Sequence, residues 1–343
     1  MKIALCSTFV PFVNGGARNI VEWLQAVLQE HGHQVERVYL PEADDPRLLL
    51  PQFAAFRWID LDAADRIVCF RPQSHLIRHP NKVLWFIHHI RQFYDLWGTP
   101  YGFDDTAANR SIRDNLIAID NRAFQEARAV FTNSQTVSDR LQLFNSVKSE
   151  VLYPPVYQPE RFKTRHYNDE LVYICRLEHH KRQHLMIEAM RYTKTDVKLR
   201  ICGTSSGQDY PGELEQLISQ HDLGERVFLE NRWITEEQKA GYLADCLAAV
   251  YLPIDEDSYG YPSVEAYHAK KPVLTSTDSG GVLELVQDGH NGIVVEPEPR
   301  EIALAIDRLY QNRPWAEKLG RNGFDSLDRM NISWSHVVDR LLA

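Results

Sequence analysis

The 343-residue sequence lacks any apolar run of the length that crosses a lipid bilayer, about 18 residues or more. Its five cysteines are scattered, mostly in apolar segments, and none form a Cys-x-x-Cys pair. We therefore expect buried, reduced thiols in a cytoplasmic protein, without a disulfide framework or a metal site. The opening residues, MKIALCSTFVPF, have no small-residue cleavage site after their short apolar segment, so they predict a first strand rather than a secretory signal.

Basic residues are also in deficit. The chain has 38 Lys and Arg against 47 Asp and Glu, a formal net charge of −9, which argues against nucleic acid as a partner. Residues 1–160 are nearly balanced, with 16 basic and 18 acidic residues, whereas residues 161–343 have 22 and 29. A nearly neutral first half is compatible with an anionic or membrane-bound partner but does not require one.

The length and composition predict two domains. A chain of this size exceeds a typical single core, and 44% hydrophobic with 25% charged residues fits ordinary globular domains. The proline-bearing segment 153–157 predicts a stiff, extended connector, so we place the boundary near residues 155–165. The expected parts are residues 1–160, residues 161–325 and a C-terminal helix in residues 326–343.

Short apolar segments alternate with amphipathic ones in both halves, which is typical of parallel sheets flanked by helices. Residues 17–30 have apolar side chains at helical spacing between two apolar segments, and so predict a strand–helix–strand unit. The predicted strands cover residues 2–6, 34–39, 66–70, 82–87, 129–132, 171–175, 198–202, 227–230, 247–252 and 273–276. The sequence therefore predicts an α/β fold.

The most informative stretch covers residues 251–292. A buried strand leads into an acidic loop with Gly260 and Tyr261, and Pro262 then opens a helix, where its missing N–H costs nothing. The next strand leads into Ser279-Gly280-Gly281, which predicts the start of another helix. Both strand-to-helix turns are expected to point free backbone N–H groups at one crevice, where an anion would bind.

Two carboxylates belong to this stretch. Asp257 lies on the predicted loop and Glu265 on the helix that follows it, with seven residues between them. Carboxylates beside an anion would repel it unless they face its neighbours, and an ionised carboxylate accepts hydrogen bonds from paired sugar hydroxyls. The pair therefore indicates a nucleotide-sugar ligand, and the alternative is two solvated acids at a helix start.

The stretch DSYGYPSVEAYHAKKPVLTSTDSGGVLELVQDGHNG resembles the signature of retaining glycosyltransferases of family four. These enzymes have the GT-B fold, in which two Rossmann-like domains with parallel sheets face a central cleft. The resemblance implies that Glu265 binds the ribose of the donor, beside Gly260 and Tyr261, and that Asp257 holds hydroxyls of the transferred sugar. The family usually has Glu where this chain has Asp257. It also implies that residues 333–342 form the helix that returns to the first domain.

The second half opens with two cations at a predicted strand end. Arg176 and Lys181 are five residues apart, just before a predicted helix over residues 183–190, and fit a diphosphate there. Their spacing matches the family motif, although several neighbouring histidines and Arg182 also permit a solvated charge run. The resemblance further places the nucleotide near Gly203 and its base against the turn at residues 231–235.

In the first half, the resemblance carries the family's sugar-side histidine onto His88, with His89 as the rival. A structural histidine pair is the alternative. Gly15-Gly16 follows the first strand and lets a backbone approach another molecule closely. A plain turn is the simpler interpretation, but in the family this loop, with Gly16, caps the donor diphosphate.

Two further segments stay open. The aromatic segment 93–105 predicts either a platform for an acceptor sugar or a loop packed on its own side chains. The predicted helix 107–128 has arginines at positions 110, 113, 122 and 128, which indicate a solvated basic stripe, with contact to a membrane surface as the alternative.

The expected function is transfer of a hexose from a UDP- or GDP-sugar to a hydroxyl acceptor, with retained anomeric configuration. The expected acceptor is a saccharide or a lipid-linked saccharide, and the enzyme would act in the cytoplasm or at the inner membrane surface. No metal or cofactor is expected, because basic side chains and helix ends neutralise the leaving group in this family. The alternatives are a GT-B-like nucleotide-sugar epimerase, a phosphorylase, or an inactive sugar-nucleotide-binding subunit.

Overall fold

The structure is a computed structural model, and it describes residues 1–12, 15–42, 45–205, 207 and 209–343. The chain divides into two compact units. The first unit contains Met1–Pro154 and Ile332–Ala343, and the second contains Pro155–Asn331. The chain thus passes between the units at the Pro154–Pro155 pair and again just before its last helix.

The first unit is built on a six-stranded parallel sheet in the order β2-β1-β3-β4-β5-β6. The central strands are buried along their whole length because helices cover both faces of a parallel sheet. The strands are β1 Lys2–Phe9, β2 Gln34–Pro41, β3 Arg66–Cys69, β4 Lys82–Phe86, β5 Ala129–Thr132 and β6 Glu150–Val151.

The helices described in this unit are α1 Gly16–Glu30, α2 Leu49–Arg57, α3 Ala107–Gln125, α4 Gln135–Asn145 and α12 Trp334–Leu342. Helix α1 buries the apolar stripe seen in the sequence, from Ile20 to Leu28. Ser134 caps α4, since its hydroxyl accepts a hydrogen bond from Val137 N at 3.1 Å. Helix α2 was not predicted, because its apolar residues have weak helical periodicity.

The last helix, α12, packs on the first unit although it follows the second in sequence. Trp334 contacts Trp85 edge-to-face, with ring centroids 6.5 Å apart. The buried Arg66 donates to Leu341 O at 2.6 Å, and Arg340 forms an ion pair with Glu150 at 2.6 Å. The chain end is therefore fixed to the first unit by packing and by charge.

The second unit is built on another six-stranded parallel sheet, in the order β12-β11-β10-β7-β8-β9. Read from the other edge, this is the 3-2-1-4-5-6 order of nucleotide-binding Rossmann sheets. The strands are β7 Glu170–Ile174, β8 Lys198–Gly203, β9 Val227–Asn231, β10 Ala248–Val250, β11 Val273–Ser276 and β12 Gly292–Val295. The predicted α/β class with two parallel-sheet units is confirmed.

The helices described in the second unit are α5 Gln183–Met190, α6 Asp209–Gln220, α7 Glu236–Asp245, α8 Tyr261–His268, α9 Val282–Leu285, α10 Pro299–Gln311 and α11 Arg313–Arg329. Helix α5 has the bounds that the sequence predicts. Throughout the described part of the chain, every helix is too short or too polar to cross a membrane.

Candidate active site

The strand order of the second unit locates its ligand-binding edge. The first strand of the unit, β7, pairs with β8 on one side and with β10 on the other. The chain leaves β7 and β10 toward opposite sides of the sheet, and ligands of open α/β sheets bind outside the carboxyl ends at such a point. The segments after Ile174 and Val250 therefore form the candidate site.

The loops after three strands of this sheet are joined at that edge. Ile254 N donates to His180 O at 2.8 Å, which joins the loops after β10 and β7. Asp255 N donates to Asp278 O at 2.9 Å, which joins the loops after β10 and β11. The predicted binding segments therefore form one framework.

Lys181 lies at the centre of this framework. It is 6% exposed, its Nζ donates to the Tyr251 hydroxyl at 2.9 Å, and it forms an ion pair with Glu256. Burial would raise the pKa of Glu256, but the Lys181 charge holds that pKa below its usual range. Lys181, which the sequence predicts to bind phosphate, thus has a carboxylate partner within the protein.

Arg182 holds the framework together. The residue is buried and has a left-handed backbone conformation, with φ of 55°. Its guanidinium donates to Leu252 O at 2.7 Å, to Pro253 O at 2.8 Å and to both carboxylate oxygens of Asp278. It therefore fixes the loops after β10 and β11, rather than belonging to a solvated charge run.

Gly260 is the residue that turns the chain from the acidic loop into α8. Its φ is 68°, and a side chain there would collide with the ring of Tyr251. Glycine is thus required at this position for two reasons: its backbone conformation and its close contact with Tyr251, which is hydrogen-bonded to Lys181. Tyr261 is the first residue of α8 and is partly buried, and burial raises its pKa.

The Gly280-Gly281 turn differs from the prediction. The helix after it, α9, is a single turn, and Gly281 N donates to Glu256 O at 2.8 Å. A Cβ on Gly280 would lie 2.6 Å from Glu256 N, and one on Gly281 would lie 2.8 Å from Ser258 Cα. These glycines let the turn pack on the acidic loop, so the expectation of free N–H groups at both turns is wrong for this one.

The other predicted donor-side residues lie along the same edge. Arg176 follows the end of β7 and is exposed, with Glu178 3.5 Å away. Gly203 ends β8, where a side chain would collide with Cys175 O, so this glycine permits the two strand ends to approach each other. Asp257 is partly buried in the loop that packs against Gly281.

Glu265 faces a small cleft at the carboxyl ends of β7 and β10. The cleft is lined by Ile174, Val250 and Pro262 with four other side chains, and all of these except Glu265 are apolar. Glu265 is 4% exposed, and its Oε1 accepts a hydrogen bond from Lys239 Nζ at 2.6 Å. The structure thus brings Glu265 and Lys181 to the same pair of strand ends, from different sides.

The predicted histidine pair of the first unit has two different environments. His89 is 2% exposed and bonds Asn145 Oδ1 at 2.9 Å, which places it in the core. His88 is partly exposed after β4, with Nδ1 2.7 Å from His89 O and Nε2 accepting from Arg71 Nε at 3.3 Å. Burial, with repulsion from Arg71, lowers the pKa of His88 to about 3, so the ring is neutral.

Around His88 the first unit gathers a polar cluster from four strand ends, which we call the Arg71 cluster: Thr8, Glu42, Arg71 and His88. Arg71 forms an ion pair with Glu42 at 2.6 Å, and the Thr8 hydroxyl donates to Glu42 at 3.2 Å. Residues of the cluster end or follow β1, β2, β3 and β4. The switch point of this sheet lies between β1 and β3, so the cluster occupies its ligand-binding edge.

The glycine loop before α1, the aromatic segment 93–105 and the arginines of α3 are the other predicted features of the first unit. Gly16 is the first residue of α1, but the loop before it includes residues 13 and 14, which lie outside the described residues. In the aromatic segment, Phe93 is buried and its ring lies 4.6 Å from that of Phe103, which favours the self-packed loop. Arg113 donates to Phe93 O at 2.8 Å, so it is not part of a solvated stripe.

Lys239, Glu256, Arg71 and Glu42 were not singled out from the sequence. Lys239 is 26 positions from its partner, and the first-unit residues come from separate strands, so no local motif marks them. Glu256 directly precedes Asp257, and its adjacency to that motif residue was the available signal. Among the described residues, no three His, Cys, Asp or Glu side chains cluster as metal ligands do.

Known proteins resemble this chain along most of its length. Residues 157–326 match the family described as Glycosyl transferases group 1. The human Alpha-1,3/1,6-mannosyltransferase ALG2 is 26% identical over 305 residues, which are 79% of this chain and 69% of that protein. The O-antigen chain mannosyltransferase RfbU of Salmonella typhimurium is 24% identical over 257 residues, which are 72% of this chain and 67% of that protein.

A solved structure shows the same fold. Anabaena HepE, crystallised in complex with UDP-glucose, covers 99% of this chain and 98% of its own, with a TM-score of 0.71 and 18% sequence identity. This likeness, together with the two parallel six-stranded sheets of the chain, confirms the predicted GT-B fold. Residues 157–326 therefore belong to the glycosyl transferases group 1 family, and the protein is a glycosyltransferase.

Proposed function

We propose that this protein transfers a hexose from a nucleotide-diphosphate sugar, a UDP- or GDP-sugar, to a hydroxyl acceptor with retention of anomeric configuration. The observation that carries the proposal is the placement of Lys181 and Glu265 near the carboxyl ends of the same two strands, β7 and β10. A buried cation and a buried carboxylate at one switch point match a ligand that has an anion between hydroxyl-bearing groups.

Each residue has a distinct role in this proposal. Lys181 and Arg176 bind the diphosphate, together with the N-terminus of α8 after Gly260. Glu265 accepts hydrogen bonds from the ribose hydroxyls, and Asp257 accepts them from the transferred sugar. Tyr261, Gly203 and Gly16 border the donor.

The proposed reaction breaks the bond between the anomeric carbon and the diphosphate oxygen, and its electron pair leaves with the nucleotide. The acceptor oxygen forms its bond to the anomeric carbon from the same face, and its proton passes to a phosphate oxygen. Lys181 and Arg176 stabilise the negative charge that develops on the leaving diphosphate, and no metal is assigned to this step.

The acceptor is proposed to meet the first unit. Its Arg71 cluster offers a guanidinium, a carboxylate and a neutral imidazole, which suits a saccharide hydroxyl pattern, and His88 would lie beside the transferred sugar. RfbU is an O-antigen chain mannosyltransferase by name, which supports a saccharide acceptor, and we propose that this saccharide is free or lipid-linked. We propose action in the cytoplasm, with contact to the inner membrane surface where the acceptor is lipid-linked.

The test is a donor screen with UDP-, GDP- and ADP-sugars, with and without saccharide acceptors and in the presence of EDTA. We expect one nucleotide class to raise the thermal unfolding midpoint, and its sugar donor to release the nucleoside diphosphate slowly. The product linkage, measured by NMR, should keep the donor's anomeric configuration. Inversion of that configuration, an epimerised donor, a requirement for free phosphate, or no turnover of any donor would contradict the proposal.

A further inference from the structure

We propose that Lys239 is a positioning residue for Glu265, which keeps the Glu265 carboxylate ionised and aimed at the ribose of a bound nucleotide. The inference rests on the proposed function, because it takes Glu265 as the ribose ligand. It assigns to α7 a part in nucleotide recognition that no local motif indicates.

The position of Lys239 is fixed by its own helix. Thr235 and Gln238 form a capping box at the start of α7, with reciprocal bonds of 3.2 and 3.1 Å. One turn later, Lys239 Nζ lies 2.9 Å from Glu236 Oε1 and 2.6 Å from Glu265 Oε1. Its side chain is 12% exposed, so the ammonium group is held between two carboxylates away from most solvent.

Glu265 needs such a partner. It is 4% exposed beside apolar strand ends, and burial raises its pKa because a charged carboxylate loses its hydration there. The Lys239 charge and hydrogen bond act against that rise. A protonated carboxyl would no longer accept two hydroxyl donors, so nucleotide binding depends on the ionised form.

Few other charges face Glu265. Glu236 on α7 disfavours its ionisation, and Arg161, in the turn Pro159–Arg161 that contacts α8, favours it from farther away. On α8 itself the Glu265 charge acts on Tyr261, and on α11, which packs against α8, Asp328 acts on His268 instead. Lys239 is therefore the dominant cation for this carboxylate.

The first test compares the affinities of ribo- and deoxyribonucleotides in the full chain. UDP and GDP are titrated against 2′-deoxy-UDP and 2′-deoxy-GDP with wild type and Lys239→Met. For the nucleotide that binds, we expect wild type to prefer the ribose form by about tenfold, and the variant by about twofold or less. Lys239→Arg should restore most of the preference.

The second readout is pH. An ionised Glu265 is present above its folded pKa and is lost as pH falls through that value, and removal of Lys239 shifts the loss to higher pH. As pH falls from about 8 to about 6, the affinity of Lys239→Met should fall by about tenfold more than that of wild type. A lysine that only stabilised the fold would not move this profile.

Two controls separate positioning from stability. Glu236→Gln removes the other partner of Lys239 and should leave the ribose preference unchanged. Lys271→Met removes another buried lysine of the second unit, which bonds His166 O and lies over the Tyr167 ring, and should lower the unfolding midpoint without changing the preference. If Lys239→Met does not fold, Lys239→Gln takes its place.

The outcomes distinguish the two proposals. If wild type binds none of the ribonucleotides, the proposed function fails. If wild type shows the ribose preference and folded Lys239→Met or Lys239→Gln keeps it, with an unchanged pH profile, the assignment of Lys239 is overturned while the proposed function stands.

Discussion

The two units have similar sheets but place charge at their ligand-binding edges in different ways. At the edge of the second unit, two lysines form ion pairs with carboxylates, Lys181 with Glu256 and Lys239 with Glu265. At the edge of the first unit, a single ion pair, between Arg71 and Glu42, lies beside a neutral histidine in the Arg71 cluster.

The difference fits the ligands that we propose for the two units. A buried ion pair stabilises a fold weakly, because desolvation of the charges offsets their attraction, so its presence at a strand end favours a role in binding. A cluster that combines one ion pair with a neutral imidazole suits a neutral, hydroxyl-bearing acceptor. We therefore expect donor effects from substitutions in the second unit and acceptor effects from those in the first.

The largest effect is expected from Lys181→Met. Loss of one preorganised cation at the leaving group should lower donor turnover by about 100- to 1000-fold. The same change leaves Glu256 without its counter-charge, which should destabilise the second unit by about 3 kcal/mol. Donor turnover and the denaturant midpoint measure the two effects.

The double variant Lys181→Met with Glu256→Gln separates them. It should recover stability, because no uncompensated carboxylate is left, but it should not recover turnover. Recovery of turnover would show that the second unit does not use Lys181 as a phosphate ligand.

A smaller effect is expected from Arg71→Met in the first unit. Transfer to a saccharide acceptor should fall by about tenfold, because a charged hydrogen-bond donor is lost, while nucleotide affinity should change by less than about twofold. Arg57→Met is the matched control, since Arg57 forms an ion pair with Glu126 at 2.6 Å elsewhere in the first unit. Equal effects of the two substitutions on transfer would remove the distinction between the units.

The smallest effect concerns pH. The folded pKa of His88 is about 3, below the value of about 6.5 for an unfolded histidine, so the unfolded chain binds more protons between these values. Stability is therefore lost as pH falls below about 6.5, by about 1 kcal/mol for this residue at about pH 5.5. Denaturant titrations at about pH 6.5 and about pH 5.5 should show that His88→Gln loses less unfolding free energy between these pH values than wild type does. An equal loss in the two proteins would contradict a neutral His88.

The sequence located the elements whose signals are local. The strands around the second-unit site and the bounds of α5 follow from apolar periodicity. Arg176 and Lys181 follow the predicted strand, and Glu265 lies on the helix predicted after the acidic loop, because spacing along one segment fixes where its side chains emerge.

What could not be predicted depends on contacts between distant segments. The Arg71 cluster combines four strand ends, and Lys239 meets Glu265 only when α7 packs beside α8. The Gly280-Gly281 turn was misinterpreted for the same reason. Its small residues are needed where the turn packs on the acidic loop, and a sequence does not distinguish that requirement from an approaching ligand.

The pairing of Lys181 with Glu256 has a consequence for ligand exchange. The Glu256 carboxylate neutralises the Lys181 ammonium group, so a diphosphate bound as we propose would compete with that carboxylate for it. Glu256 and the loop that contains it would then have to rearrange whenever a donor enters, which links occupancy of the site to the position of its neighbour Asp257.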